Sequence, residues 1–93
     1  MTEDMKKSLA PIMKTCSGIL TKAAYVKLVA SQAPDAEIVS QHNNMCFNVD
    51  ARVGMLMNQM SAVKGTPTSA KVAIWRYELA SIQTDLKTME VKL

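Results

Sequence analysis

The sequence predicts an all-α protein, a small antiparallel bundle of three long helices. Along three separate segments, apolar residues recur at alternating spacings of three and four, which places them on one stripe of an α-helix. Proline, glycine and capping residues separate these segments near 31–34 and 64–68. The chain has 93 residues, of which 48% are hydrophobic, and this suits one domain (1–93) with its own core.

The first helix is expected over about residues 2–31. It can start at Thr2, which is followed by acids, or at Ser8, which places Pro11 in the first turn. Its stripe comprises eight residues: Met5, Leu9, Ile12, Cys16, Ile19, Ala23, Val26 and Ala30.

The second helix is expected over about residues 34–64. Pro34, Asp35 and Glu37 suit a first turn, and Gly65 is expected at the left-handed position that ends the helix. Its stripe comprises Val39, His42, Cys46, Val49, Val53, Leu56, Met60 and Val63.

A weak stretch in the second helix leaves an alternative open. Residues near Asn48–Asp50 favour caps over helix interiors, and a break there would give four helices. The segment also has few charges. Because a helix flanked on two sides needs few, we expect it to be the most buried of the three.

The third helix is expected over about residues 68–92, with Thr68 or Ser69 as its N-cap. Both connections are short, so neighbouring helices should be antiparallel. That arrangement predicts Trp75 near Gly54, Met57 and Met60. The stripe comprises Val72, Trp75, Leu79, Ile82, Leu86, Met89 and Leu93.

Charges beside the third stripe suggest an interface. Six of the seven charged residues of this helix fall at the heptad positions that flank the stripe, where charges select helix partners. Large apolar residues also lie off the stripes, and together they would favour association. We expect self-association, with a dimer favoured, and a partner protein. The candidate interface comprises Lys71, Ile74, Arg76, Tyr77, Glu78, Asp85, Phe47 and Met55.

The first helix offers an alternative function. Residues 1–33 carry five lysines against Glu3 and Asp4, and a lysine row attracts phosphate without reading sequence. This hypothesis makes the chain a small nucleic-acid-binding protein. Its candidate residues are Lys6, Lys7, Lys14, Lys22 and Lys27.

Catalytic and metal chemistry have little support. The three glycines are isolated, so a phosphate-binding loop is absent, and paired carboxylates suited to acid–base catalysis are missing. We expect neither an enzyme nor a cofactor. His42, Met45 and Cys46 lie within one turn and carry soft donors suited to Cu(I), but a hydrogen-bonded core histidine is the favoured interpretation.

The protein is expected to be cytoplasmic, because no apolar run is long enough to cross a membrane and the first residues are too polar for a signal peptide. Cys16 and Cys46 would then be reduced, although their pairing stays open. The sequence favours a non-enzymatic protein–protein interaction module: an adaptor, a cofactor of another protein or an inhibitor.

Overall fold

The computed structural model describes residues 3–93, except for the side chains of residues 4–6. The described residues form three α-helices and no strand, which confirms the all-α class. The helices are α1 (Glu3–Ala30), α2 (Ala36–Ser61) and α3 (Ser69–Val91). α2 is continuous through residues 48–50, so the expected alternative of a fourth helix is not seen. Met5 and Lys6, named above, lie outside the described side chains.

The starts of the helices follow local capping chemistry. α1 begins at Glu3, so the alternative start at Ser8 is wrong and Pro11 lies inside the helix. Asp35 caps α2 by accepting a hydrogen bond from the Glu37 amide at 2.8 Å. Thr68 caps α3 through the Lys71 amide at 3.2 Å, as predicted. Each cap satisfies an amide that would otherwise lack a partner in the first turn.

The end of α2 differs from the expectation. The helix stops at Ser61, where Ala62 is its C-cap, so Gly65 is not the residue that ends it. Gly65 instead has φ +80° within the connection to α3. Pro67, two residues later, is buried and anchors this connection against the bundle. The connection therefore needs a left-handed residue in its middle, before the chain turns into the core.

The core consists of the three predicted stripes. Every described stripe residue of α1 is buried, including Cys16, which has no exposed surface. In α2 and α3 the central stripe residues are buried, and Val39, Val63, Val72 and Met89 at the ends are half-buried. Leu93 is exposed. Met45 adds to the core from beside its stripe, where a flexible thioether can fill an irregular gap.

Contacts between helices have a consistent order. His42 contacts Met89, Arg52 contacts Asp85, and Gln59 contacts Trp75, so the partners occur in opposite order along α2 and α3. Between α1 and α3 the order is the same in both helices. One groove joins Pro11 and Thr15 to Arg76 and Gln83, and Lys22 pairs with Glu90 further on.

Two packing expectations for α2 can be compared with the structure. α2 and the described residues of α1 each include seven buried residues, and α2 has five half-buried residues against three in α1. The shortage of charge in α2 also reflects an exposed side rich in amide and apolar residues. Trp75 packs in the cluster with Met60 and Met57 but not against Gly54, since a Cβ added to Gly54 would meet nothing within 4 Å.

The glycines provide a first test. We expect Gly65→Ala to destabilise the fold by about 1–2 kcal/mol, because a left-handed backbone strains residues with a Cβ. Gly18→Ala and Gly54→Ala are matched controls in helices with open space around the new methyl group. These two should stabilise the fold by about 0.5–1 kcal/mol. Urea unfolding followed by circular dichroism measures all three, and equal effects at all three positions would contradict the prediction.

Candidate interaction surface

The side of α3 that faces away from the core carries no charged residue from Ala70 to Val91. We call it the outer face of α3. Its residues lie within about 60° of the Tyr77 direction, at about 100° per residue. The face comprises Ala70, Ala73, Ile74, Tyr77, Ala80, Ser81, Thr84, Thr88 and Val91. All are exposed except Ser81, which is half-buried. The solvent side of a surface helix ordinarily carries charges, so this composition is unusual.

Hydrogen bonding makes the outer face more apolar than its composition suggests. The Thr84 hydroxyl donates to the Ala80 carbonyl at 3.0 Å, and the Thr88 hydroxyl donates to the Thr84 carbonyl at 2.9 Å. Both hydroxyls are thus turned back onto the helix backbone, and the two threonines lie further along the same face as Ile74 and Tyr77. These two large side chains are 61% and 75% exposed. The face therefore presents a nearly continuous apolar surface to water.

Charges border the outer face on both edges, and the edges differ in sign. Glu78 and Asp85 lie along the edge towards α2, which also carries Lys71 at its start and Lys92 at its end. Arg76 and Lys87 lie along the edge towards α1. Along the middle of the face, over residues 76–87, one edge is therefore acidic and the other basic. Such charges select the orientation of a partner more than they add affinity.

The sequence-predicted interface residues do not form one surface. Ile74 and Tyr77 share the outer face of α3, and the predicted charges of α3 form its two edges. Asp85 is already engaged within the chain: the Arg52 guanidinium donates to its carboxylate at 2.7 Å and also reaches Ser81 at 3.4 Å. Asp85 nevertheless keeps 59% of its side-chain surface exposed.

Phe47 and Met55, the other predicted interface residues, lie on the side of α2 that faces away from the core. They stand two helical turns apart with exposed Ala51 between them, and Phe47 is 78% exposed. Between Ser40 and Ala62 this side of α2 also lacks charge. α2 therefore presents a second exposed surface that is apolar and amide-rich.

The lysines of α1 are not arranged as one row in the structure. Lys7 and Lys14 are exposed on the same outward side of α1. Lys22 lies towards α3, where its ammonium group pairs with Glu90 at 2.6 Å. Lys27 lies on the α2 side, where burial raises the pKa of Cys46 and the charge of Lys27 offsets only part of that rise. Of the four α1 lysines whose side chains are described, Lys7 and Lys14 therefore share one outward side, and Lys22 and Lys27 lie towards neighbouring helices.

The histidine in the predicted soft-donor cluster is a hydrogen-bonded core residue. His42 has no exposed surface, and its Nδ1 and Nε2 lie 2.7 Å and 2.9 Å from the carbonyl oxygens of Ile38 and Met89. Metal binding would have to break one of these contacts. Among the described residues, no group of three or more His, Cys, Asp or Glu side chains is placed to hold a metal ion.

Both cysteines lie within the described part of the chain and are free thiols. Burial raises the pKa of Cys16 above its usual 9.0. Burial also raises the pKa of Cys46, and the negative charge of Asp50 adds to this effect. Because the thiolate is the reactive form, neither cysteine has the character of a nucleophile.

The absence of charge from the outer face of α3 follows from the sequence, although the pattern of charges beside the stripe does not reveal it. The prediction concentrated on charges beside the stripe and treated Ile74 and Tyr77 as separate exposed residues. A helical wheel drawn around Tyr77 would have shown the gap in charge. The inward turn of the Thr84 and Thr88 hydroxyls had no signal, because these side chains can also point to solvent.

Comparison with protein-family models, with curated proteins and with solved structures finds no match to the chain. None of the described helices is both long and apolar enough to span a bilayer.

Proposed function

We propose that this protein is a non-enzymatic interaction module that self-associates and works by occupying the surface of a partner protein, as an adaptor, a cofactor of another protein or an inhibitor. One observation carries the proposal. The sides of α2 and α3 that face away from the core hold large apolar residues, and over residues 40–62 and 73–84 these sides carry no charged residue. Exposed apolar surface of this extent is typical of protein-binding sites. A cytoplasmic setting, where both thiols stay reduced, belongs to the same proposal.

The bundle itself supports this function. The order of contacts along α1, α2 and α3 fits an antiparallel arrangement of neighbouring helices. Each helix then contributes one stripe to the core and leaves its opposite side for other contacts. The helices form a rigid support on which an exposed helix side can bind with little ordering cost.

Sedimentation velocity across a concentration series tests self-association. We expect the weight-average mass to rise from 10.2 kDa towards twice that value as the concentration increases. A constant mass of 10.2 kDa up to millimolar concentration would contradict the proposal. The alternative, nucleic-acid binding, predicts retention on heparin at low salt that Lys7→Glu with Lys14→Glu abolishes. The separation of Lys22 and Lys27 from these two lysines is why we favour protein binding.

A further inference from the structure

We propose that the outer face of α3 binds the same face of a second copy of the chain, with the two α3 helices parallel and in register. This inference rests on the proposed self-association and specifies its surface, its occupant and its orientation. It depends on three features of α3: the apolar face around Ile74 and Tyr77, the inward hydroxyls of Thr84 and Thr88, and the opposite signs of the two edges.

The charges at the edges identify the occupant. In a parallel pair related by a two-fold axis along the helices, the acidic edge of each copy meets the basic edge of the other. Glu78 then lies opposite Arg76 of the second copy, and Asp85 lies opposite Lys87. The two members of each pair are two residues apart in sequence number, which is about 3 Å along the helix. Symmetry doubles the two pairs to four favourable ones, whereas Lys71 on the same edge lies five residues, or about 7.5 Å along the helix, from Arg76 of the second copy.

The reverse orientation is less favourable. In an antiparallel pair each edge meets its own copy, so the basic edges, with Arg76 and Lys87, face each other. On the acidic edge, Lys71 can meet Asp85, but Glu78 then lies near the second Glu78. Like charges placed together oppose association more than exposed pairs promote it. Charge complementarity therefore selects the parallel arrangement.

The apolar centre of the face suits this geometry. In a parallel, in-register pair, residues on the line of closest approach meet their own equivalents. Ala70, Tyr77 and Thr84 recur every seven residues along that line. The small side chains at 70 and 84 allow the backbones to approach, and Tyr77 supplies a large contact area at low entropic cost. Burial of Thr84 and Thr88 in the dimer would leave no hydroxyl unpaired, since each hydroxyl already donates to a carbonyl.

The main test places a charge at the centre of the face. Thr84→Lys puts two ammonium groups against each other in the dimer, so its dissociation constant should rise at least about 100-fold. Thr21→Lys is the matched control, because Thr21 is an exposed threonine on the outward side of α1. Sedimentation velocity should show a dimer for the wild type and Thr21→Lys, and a monomer for Thr84→Lys. Circular dichroism checks that each variant keeps its helices.

Cysteine cross-linking tests the orientation. In the parallel pair Ala70→Cys and Thr84→Cys each form a disulfide with their own equivalent under mild oxidation. An antiparallel pair centred between these positions would cross-link only a mixture of the two variants. The buried Cys16 and Cys46 should contribute no cross-link, and the wild-type chain is the control. Self-cross-linking of both variants supports the proposal, and cross-linking only in the mixture overturns it.

The last test reverses the charges at the two edges of the outer face. Glu78→Arg should weaken the dimer on the order of tenfold, since it places arginine opposite Arg76 of the second copy. Adding Arg76→Glu to this variant should restore wild-type association, and failure to restore it would overturn the pairing. A wild-type dimer that persists in Thr84→Lys would overturn the α3 interface and leave the proposed self-association standing. A wild-type monomer would overturn both.

Discussion

Replacement of Trp75 by alanine is expected to lower the free energy of unfolding by about 3–5 kcal/mol. Trp75 is the largest fully buried side chain, with 1% of its surface exposed. Its truncation leaves a cavity between α2 and α3 near Met60, because the surrounding helices can only partly close the space. The lost hydrogen bond from its indole to Gln59, at 3.3 Å, adds little, since Gln59 is exposed to water.

Urea unfolding followed by circular dichroism measures this loss, because the substitution removes the only tryptophan and its fluorescence. Phe47→Ala is the matched control, an aromatic truncation on the exposed side of α2 that should change stability by less than about 0.5 kcal/mol. Leu79→Ala, also in the core, should cost about 2–5 kcal/mol. A loss below 1 kcal/mol at both Trp75 and Leu79 would mean that the α3 stripe does not face the core.

Truncation of His42 is the second substitution with a large expected effect. His42→Ala should cost about 2–4 kcal/mol, the sum of a buried cavity and a lost hydrogen bond between helices. The Nε2 contact with the Met89 carbonyl is the important one, since it is the one of the two that joins α2 to α3; the Met89 carbonyl also accepts from the Lys92 amide at 3.2 Å. The Ile38 carbonyl still accepts from the amide four residues on when the ring is absent.

Two conservative variants separate the two contacts of His42. Glutamine can place its amide near the Nε2 position, and asparagine can place its amide near the Nδ1 position. We therefore expect His42→Gln to lose less stability than His42→Asn, measured by the same urea titration. The opposite order would mean that the local contact with Ile38, and not the contact with Met89, accounts for the stabilisation.

The sequence predicted the core well because burial follows from helical periodicity alone. Residues such as Leu9, Val53 and Ile82 lie on stripes whose spacing is independent of how the helices meet. The helix bounds differ from expectation by three residues at most, at the end of α2. That difference lies in the connection, where Ala62 caps α2 three residues before Gly65 and Pro67 is buried.

Features that depend on contacts between helices were harder to predict. The pairing of Asp85 with Arg52 depends on the relative height of α2 and α3, which no local pattern specifies. For the same reason Trp75 was expected beside Gly54. The scarcity of charge in α2 accompanies both its buried stripe and an exposed side that lacks charge. Composition alone cannot distinguish these two causes.

The matching order of contacts along α1 and α3 has a consequence for engineering of the chain. With three helices, Glu3 and Leu93 lie at opposite ends of a molecule 49 Å long. A linker that joined them in a circular permutant would need at least about 14 extended residues. Proteins fused at the two ends would be held apart by the length of the bundle, which makes the chain a rigid spacer with distinct ends.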